Sequence, residues 1–485
     1  MTLISTGFLA FFLAVFLLYF FAPRKAQPAV LLAASLLFYG SQGLSFLLVL
    51  IVEIGFVYVC ALWIEKFTGF KRKRILLLSL LGVLSPLIVF KYLNFVIQSV
   101  YSFFHSSAAG KSFLWLSLIL PIGISFYTLK SVSYLLDVYY SRIQAEKNPI
   151  LLGLYISFFP QILAGPIERS RNFLCQFRTD NVLNLAHLSQ GLKLVTWGIF
   201  KKVVIADQLA KYVNIIFDRP QDFPDLSLIF GLIFYSFQIY CDFSGYSDMA
   251  IGLAKILGID SMENFHYPYF SRSVVEFWSR WHISLSTWLR DYLFLPITYA
   301  LSRKIRVERF LLVKTEFFMY FLGVGMTMLL CGLWHGAGWT FVVWGGVHGF
   351  YLIFSRATKK VRYAGLKWLH LRKDNAFLDG WKKLSTFFLV TLAWVFFRST
   401  SLANVWLYLR NISFRLPQRG VGQLLFFGSL LVVFLVAEAL MKNKDKIRFL
   451  KKIPGPIQVI AYALFLCLII ILAADTSNEF LYFRF

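Results

Sequence analysis

The sequence predicts an all-α, polytopic membrane protein. Three observations carry that prediction. Only 15% of residues are charged and 58% are hydrophobic, whereas a water-facing domain carries roughly 25% charged residues. Apolar runs near crossing length recur along the chain. Lysine and arginine gather mostly between those runs.

A spanning helix needs about 20 mostly apolar residues to cross about 30 Å of hydrocarbon. Such runs lie at 3–22, 26–40, 44–64, 75–90, 113–129, 149–167, 226–241, 317–334, 339–355, 384–397, 420–437 and 453–474. The stretch 186–210 is a further candidate, interrupted by Lys193, Lys201 and Lys202. Some runs are short of a full crossing. The expectation is therefore roughly 11 to 13 membrane elements, some tilted, re-entrant or interfacial. No basic residue precedes the first run, and Arg24 and Lys25 follow it. It reads as a span, not a cleaved leader, with its C-terminal end cytoplasmic and the N-terminus facing outward.

Net charge is +25, from 49 basic and 24 acidic residues. Basic clusters stand at 71–74, 303–309, 356–362 and 442–452. Clusters between spans are topogenic signals that also suit anionic headgroups, so the charge implies a lipid bilayer and no nucleic acid. The five cysteines are scattered and read as free thiols. No internal repeat or low-complexity linker appears, so 1–485 reads as one membrane domain. No nucleophile elbow, P-loop, dinucleotide fingerprint or metal-ligand spacing is present, and no bound cofactor or metal is expected.

The stretch 277–292, FWSRWHISLSTWLRDY, places Trp278, Trp281, His282, Leu285, Trp288, Leu289 and Tyr292 at i, i+3, i+4, i+7, i+10, i+11 and i+14. That spacing predicts one aromatic helix face. Arg280, Ser284, Thr287 and Asp291 lie off the stripe. Three tryptophans on one face suit an interfacial or re-entrant helix, with His282 turned away from bulk water.

From Phe317 to Ser355 no residue is formally charged across 39 positions. As straight helix that is about 58 Å, nearly two crossings. His335 lies near the midpoint, and Gly336 and Gly338 predict a break there. Both flanks are basic, so both should be cytoplasmic, with a hairpin that carries His335 to its far turn or to a break at depth. An ionisable residue in broken helix at depth is a candidate site. Imidazole can take a proton from a hydroxyl and return one to a leaving group. His348, beside Gly345, Gly346 and Gly349, reads as packing. His105, His187 and His370 stand in loop-like settings.

A second polar cluster, YCDFSGYSDMAIG at 240–252, joins Asp242 and Asp248 to Tyr240, Ser244, Tyr246 and Ser247. These side chains could line a polar cavity or cap and turn a helix entry. The structural role is favoured for Asp248, and Asp242 stays open. Glu53, alone in its run, needs a partner the sequence does not identify.

Together the motifs resemble the membrane-bound O-acyltransferase superfamily, in the branch of the alginate O-acetylation membrane proteins. The match covers most of the chain in order: LPIGISFYTLKSVSYLLDVY (120–139), SFFPQILAGPIERS (157–170), YCDFSGYSDMAIG (240–252), NFHYPY (264–269), FWSRWHISLSTWLRDYLFLPI (277–297), GLWHGAGWTFVVWGGVHG (332–349), LAWVFFR (392–398) and EFLYFRF (479–485). Many relatives read Tyr-Asp-Phe-Ser where Tyr240-Cys241-Asp242-Phe243-Ser244 stands. The resemblance implies about a dozen helices around a thinned, funnel-shaped centre. It makes His335 the catalytic base and His282 a second catalytic histidine. It suggests substrate contacts for Asp242, Tyr240, Ser244, Trp334, Trp278, Arg280 and Asn264. It further implies acetyl transfer from a cytoplasmic thioester, acetyl-CoA, to an exported polysaccharide, directly or through a periplasmic or extracellular acetyltransferase. The setting implied is a bacterial cytoplasmic (inner) membrane. The alternatives are D-alanyl transfer to teichoic acid and an acyl-group transporter without catalysis.

Overall fold

The computed structural model describes residues 1–104, 119–179, 181–305, 307–310, 313–368, 375–417, 420–442, 455–473 and 480–481. His105, His370, most of the 442–452 basic cluster and most of the terminal 479–485 motif lie outside them.

In chain order the helices are α1 Thr6–Phe21, α2 Gln27–Gly40, α3 Leu44–Lys66, α4 Gly69–Leu87, α5 Leu93–Phe104, α6 Ile124–Tyr139, α7 Pro149–Ser157, α8 Ser170–Phe173, α9 Leu185–Phe200, α10 Asp207–Asp218, α11 Ser227–Ile256, α12 Val274–Arg280, α13 Ile283–Leu289 and α14 Leu295–Lys304. They continue as α15 Thr315–His335, α16 Trp339–Ala357, α17 Lys359–Trp368, α18 Ala376–Arg398, α19 Leu402–Arg410, α20 Val421–Lys442 and α21 Gly455–Ala473. A two-residue antiparallel ladder, Arg309–Phe310 with Val313–Lys314, is the one sheet among the described residues. The all-α, polytopic expectation holds. Among the described residues, α3, α4 with α5, α11, α15 and α20 are long and apolar enough to cross a bilayer.

The chain groups into two compact units, Met1–Trp197 with Tyr246–Glu263, and Gly198–Gly245 with Asn264–Phe485. The first unit packs α1, α2 and the 158–169 segment around a phenylalanine cluster. Phe11 meets Phe159 edge-on at 5.5 Å, and Phe38 lies 6.0 Å from it. The apolar run 149–167 is not one span. Its helix stops after 9 residues at Ser157, about 14 Å of rise, and the rest is irregular and buried. Irregular backbone survives there because protein surrounds it and supplies partners. Phe159 N donates to Ser35 Oγ at 3.1 Å, and Tyr155 Oη donates to Glu168 O, just beyond the run, at 2.9 Å. Glu53 finds its partner here: Ser131 Oγ donates to Glu53 Oε1 at 2.8 Å.

In the second unit α15 and α16 form the expected hairpin, broken over Gly336–Gly338. Glycine sets how closely they approach. A Cβ on Gly332 would meet Phe341 O at 2.2 Å, and one on Gly345 would meet Met328 O at 2.1 Å. Close backbone contact of this kind is how helices associate where water gives no hydrophobic drive.

Two expectations about local structure need correction. The stretch 277–292 is not one helix. It divides into α12, a break at Trp281–His282, α13 and a π-turn from Arg290 to Phe294. Non-local hydrogen bonds compensate the break: Ile283 N donates to Asn264 O and His266 N to Arg280 O, both at 2.9 Å. Nor is 240–252 a helix boundary, because it lies inside the 30 residues of α11. Its glycines serve close packing, not turning. A Cβ on Gly245 would meet Gly198 O, and one on Gly252 would meet Gly191 O, each at 2.7 Å.

Candidate active site

The helix break fixes His282. Its backbone is left-handed, with φ 43°, and its side chain is fully buried. Asn264 holds the ring. Asn264 Oδ1 accepts from Ser284 N at 3.2 Å and from Ser284 Oγ at 2.9 Å, and it lies 3.1 Å from His282 Nδ1. The backbone donor from Ser284 identifies that atom of Asn264 as the oxygen. His282 Nδ1 therefore carries the proton and Nε2 the lone pair, the tautomer a general base requires. Phe243 stands edge-on to the ring at 4.6 Å, and burial holds the imidazole below the usual histidine range.

His335 is the last residue of α15 and is buried. Trp334, Trp344 and Phe397 surround its ring with centroids at 4.9, 5.0 and 5.3 Å. The indole of Trp334 is also 5.9 Å from His282. One tryptophan thus touches both histidines. His348 packs as expected and is fully buried, and its Nδ1 accepts from Trp278 Nε1 at 3.3 Å. Trp278 is thereby tied to α16. Arg280 pairs with Glu276 at 2.6 Å.

Asp242, Tyr240 and Ser244 of α11, which fall in the same unit, engage a second set of charged groups. Lys202 Nζ lies 2.7 Å from Asp242 Oδ1 and 2.9 Å from Asp207 Oδ1, with all three side chains buried. Asp242 Oδ2 also accepts from Leu481 N at 2.9 Å, and Phe480 stacks under Lys202 at 4.4 Å. Lys201 Nζ donates to Ser244 Oγ at 3.1 Å, and Tyr240 donates to Glu438 Oε1 at 2.5 Å. Asp242, Tyr240 and Ser244 are thus engaged by protein groups. Lys201 and Lys202 open a π-turn, Lys201–Ala206, whose six residues are all buried. π-Turns of this kind concentrate at functional sites. Sequence reasoning did not select Lys201, Lys202, Asp207 or Glu438. The available signal was charge inside otherwise apolar runs, which demands a partner.

These features define a polytopic membrane protein with two buried histidines at helix breaks and a separate buried ionic cluster. The profile of the MBOAT, membrane-bound O-acyltransferase family matches residues 148–397, which include both histidines. The "Probable alginate O-acetylase AlgI" of Pseudomonas aeruginosa is 37% identical over 408 residues, covering 83% of this chain and 73% of its own length. The peptidoglycan O-acetyltransferase of Helicobacter pylori is 35% identical, covering 81% of this chain and 75% of its own. The teichoic acid D-alanyltransferase of Bacillus subtilis is 28% identical over 255 residues, 51% of this chain and 62% of its own. This chain belongs to the membrane-bound O-acyltransferase family and is a membrane O-acyltransferase.

Proposed function

We propose that the enzyme moves an acetyl group from a cytoplasmic thioester, acetyl-CoA, to a hydroxyl of an exported polysaccharide, with His335 as the base. Transfer occurs directly or through a periplasmic or extracellular acetyltransferase, from a bacterial cytoplasmic membrane. The observation that carries the reading is the contact of Trp334 with both His282 and His335. It gathers two proton-handling groups in one dry, aromatic setting. In the direct reaction the hydroxyl oxygen attacks the thioester carbonyl carbon while imidazole takes its proton. The carbon–sulfur bond then breaks, and the proton passes to the departing thiolate.

Acetyl is favoured over D-alanyl because the acetylating relatives match over four-fifths of the chain and the D-alanyltransferase over about half. The test is acetyl content of the surface polymer in cells carrying His335→Ala or His282→Ala. Each variant should insert normally and lower acetylation at least about a hundredfold, the usual worth of a positioned proton carrier. Wild-type acetylation in His335→Ala would overturn the assignment and revive a transporter.

A further inference from the structure

The basic cluster at 71–74 does more than carry topogenic charge. Arg72 is a strut: its guanidinium donates to Val138 O at 2.9 Å and to Ser141 Oγ at 3.0 Å. Lys71 and Arg74 instead join Lys66 around a cleft of about 520 Å³ between the end of α3 and the start of α4. Trp63 and Phe67 form its aromatic wall, and Leu78 lies at its apolar end. Lys66 Nζ and Lys71 Nζ stand 6.0 and 5.4 Å from the centre of the Phe67 ring. Among the described residues, none of the three cations has a carboxylate partner.

The cleft opens onto a stripe of matching polarity. On α3, Val52, Phe56, Val59 and Trp63 are all exposed at spacings of four, three and four, which is one helix face, and Lys66 ends that face. On α4, Lys71 and Arg74 are followed on their own face by exposed Leu78 and Leu81. Both helices therefore run from cation to bare hydrocarbon in the same direction. We propose that this cleft binds the phosphate headgroup of an anionic phospholipid, with its acyl chains along the α3 and α4 stripes. A free phosphate would need the cations but not the stripes. A zwitterionic lipid would need the stripes but bring no net charge to three cations. Basic clefts at the cytoplasmic ends of membrane helices are suited to such headgroups.

The test is native mass spectrometry of the full chain in detergent, titrated with phosphatidylglycerol or phosphatidylcholine. Wild type should retain phosphatidylglycerol at least about tenfold better. Lys66→Gln/Lys71→Gln/Arg74→Gln should lose at least about twentyfold, since each basic residue near the surface is worth about fivefold. The single variants Lys71→Gln and Arg74→Gln should each lose a few-fold, and they decide the matter if the triple variant does not fold. Lys73→Gln removes the same charge outside the cleft and should lose less than either of those single variants. Equal retention of both lipids, or wild-type retention by the triple variant, would overturn the proposal. So would displacement of the lipid by millimolar inorganic phosphate or by coenzyme A, which would make the cleft a site for a soluble phosphate or nucleotide.

Discussion

His282 occupies a left-handed backbone position, φ 43°, that costs a residue with a Cβ about 1–3 kcal/mol. Asn264 sustains it at two points: its carbonyl takes the Ile283 amide, and its side-chain oxygen takes Ser284 and the His282 ring. Asn264→Ala should therefore lower acyl transfer by about tenfold to a hundredfold, the usual worth of a group that orients a working side chain. Asn264→Asp keeps the acceptor and adds negative charge, which favours imidazolium and raises the His282 pKa. A base acts deprotonated, so the acid limb of the pH–rate profile should move to higher pH. An unmoved profile in an active Asn264→Asp enzyme would count against His282 handling a proton.

At the level of elements, Lys202 and its two carboxylates are the feature most exposed to substitution. Lys202→Met would leave Asp207 and Asp242 facing each other in a buried setting, a loss of about 3–5 kcal/mol. It should appear as a lower thermal transition and poor recovery of folded protein from detergent. The α15–α16 contact gives a second case. Gly345→Ala drives a Cβ into Met328 O, so the hairpin must open, and transfer should fall although no substituted atom touches a histidine. Wild-type turnover in that variant would show that the hairpin tolerates separation. The hairpin itself was legible, because 39 uncharged residues with glycines at the midpoint leave few other arrangements. The buried stripe from Trp278 to Tyr292 was legible too: every residue on it is buried. The break inside that stripe was not. The groups that compensate it come from Asn264 and His266, well upstream, and local periodicity carries no trace of them. The polar stretch in α11 misled for a related reason. Asp, Ser and Gly mark helix ends in water, but inside packed helices glycine permits contact and a buried aspartate meets a lysine.

For the whole molecule, the charge pattern makes sidedness testable. Basic flanks precede and follow the α15–α16 hairpin, and the basic cluster of α4 follows two shorter elements and α3. If cytoplasmic lysine and arginine set orientation, Lys73, Lys304 and Lys360 share the cytoplasmic side and Ser5 lies opposite. The measurement is labelling of single cysteines by a membrane-impermeant thiol reagent, in a background where the exposed Cys175 and Cys467 are serine. Ser5→Cys should react in intact cells, and Lys73→Cys, Lys304→Cys and Lys360→Cys only after permeabilisation. Lys304 and Lys360 carry the decisive comparison. Labelling from opposite sides would make 315–357 cross the membrane once, which two helices of 21 and 19 residues packed at Gly332 and Gly345 cannot do. Labelling from one side leaves His335 at the far turn of the hairpin, which the proposed transfer to an outside hydroxyl requires.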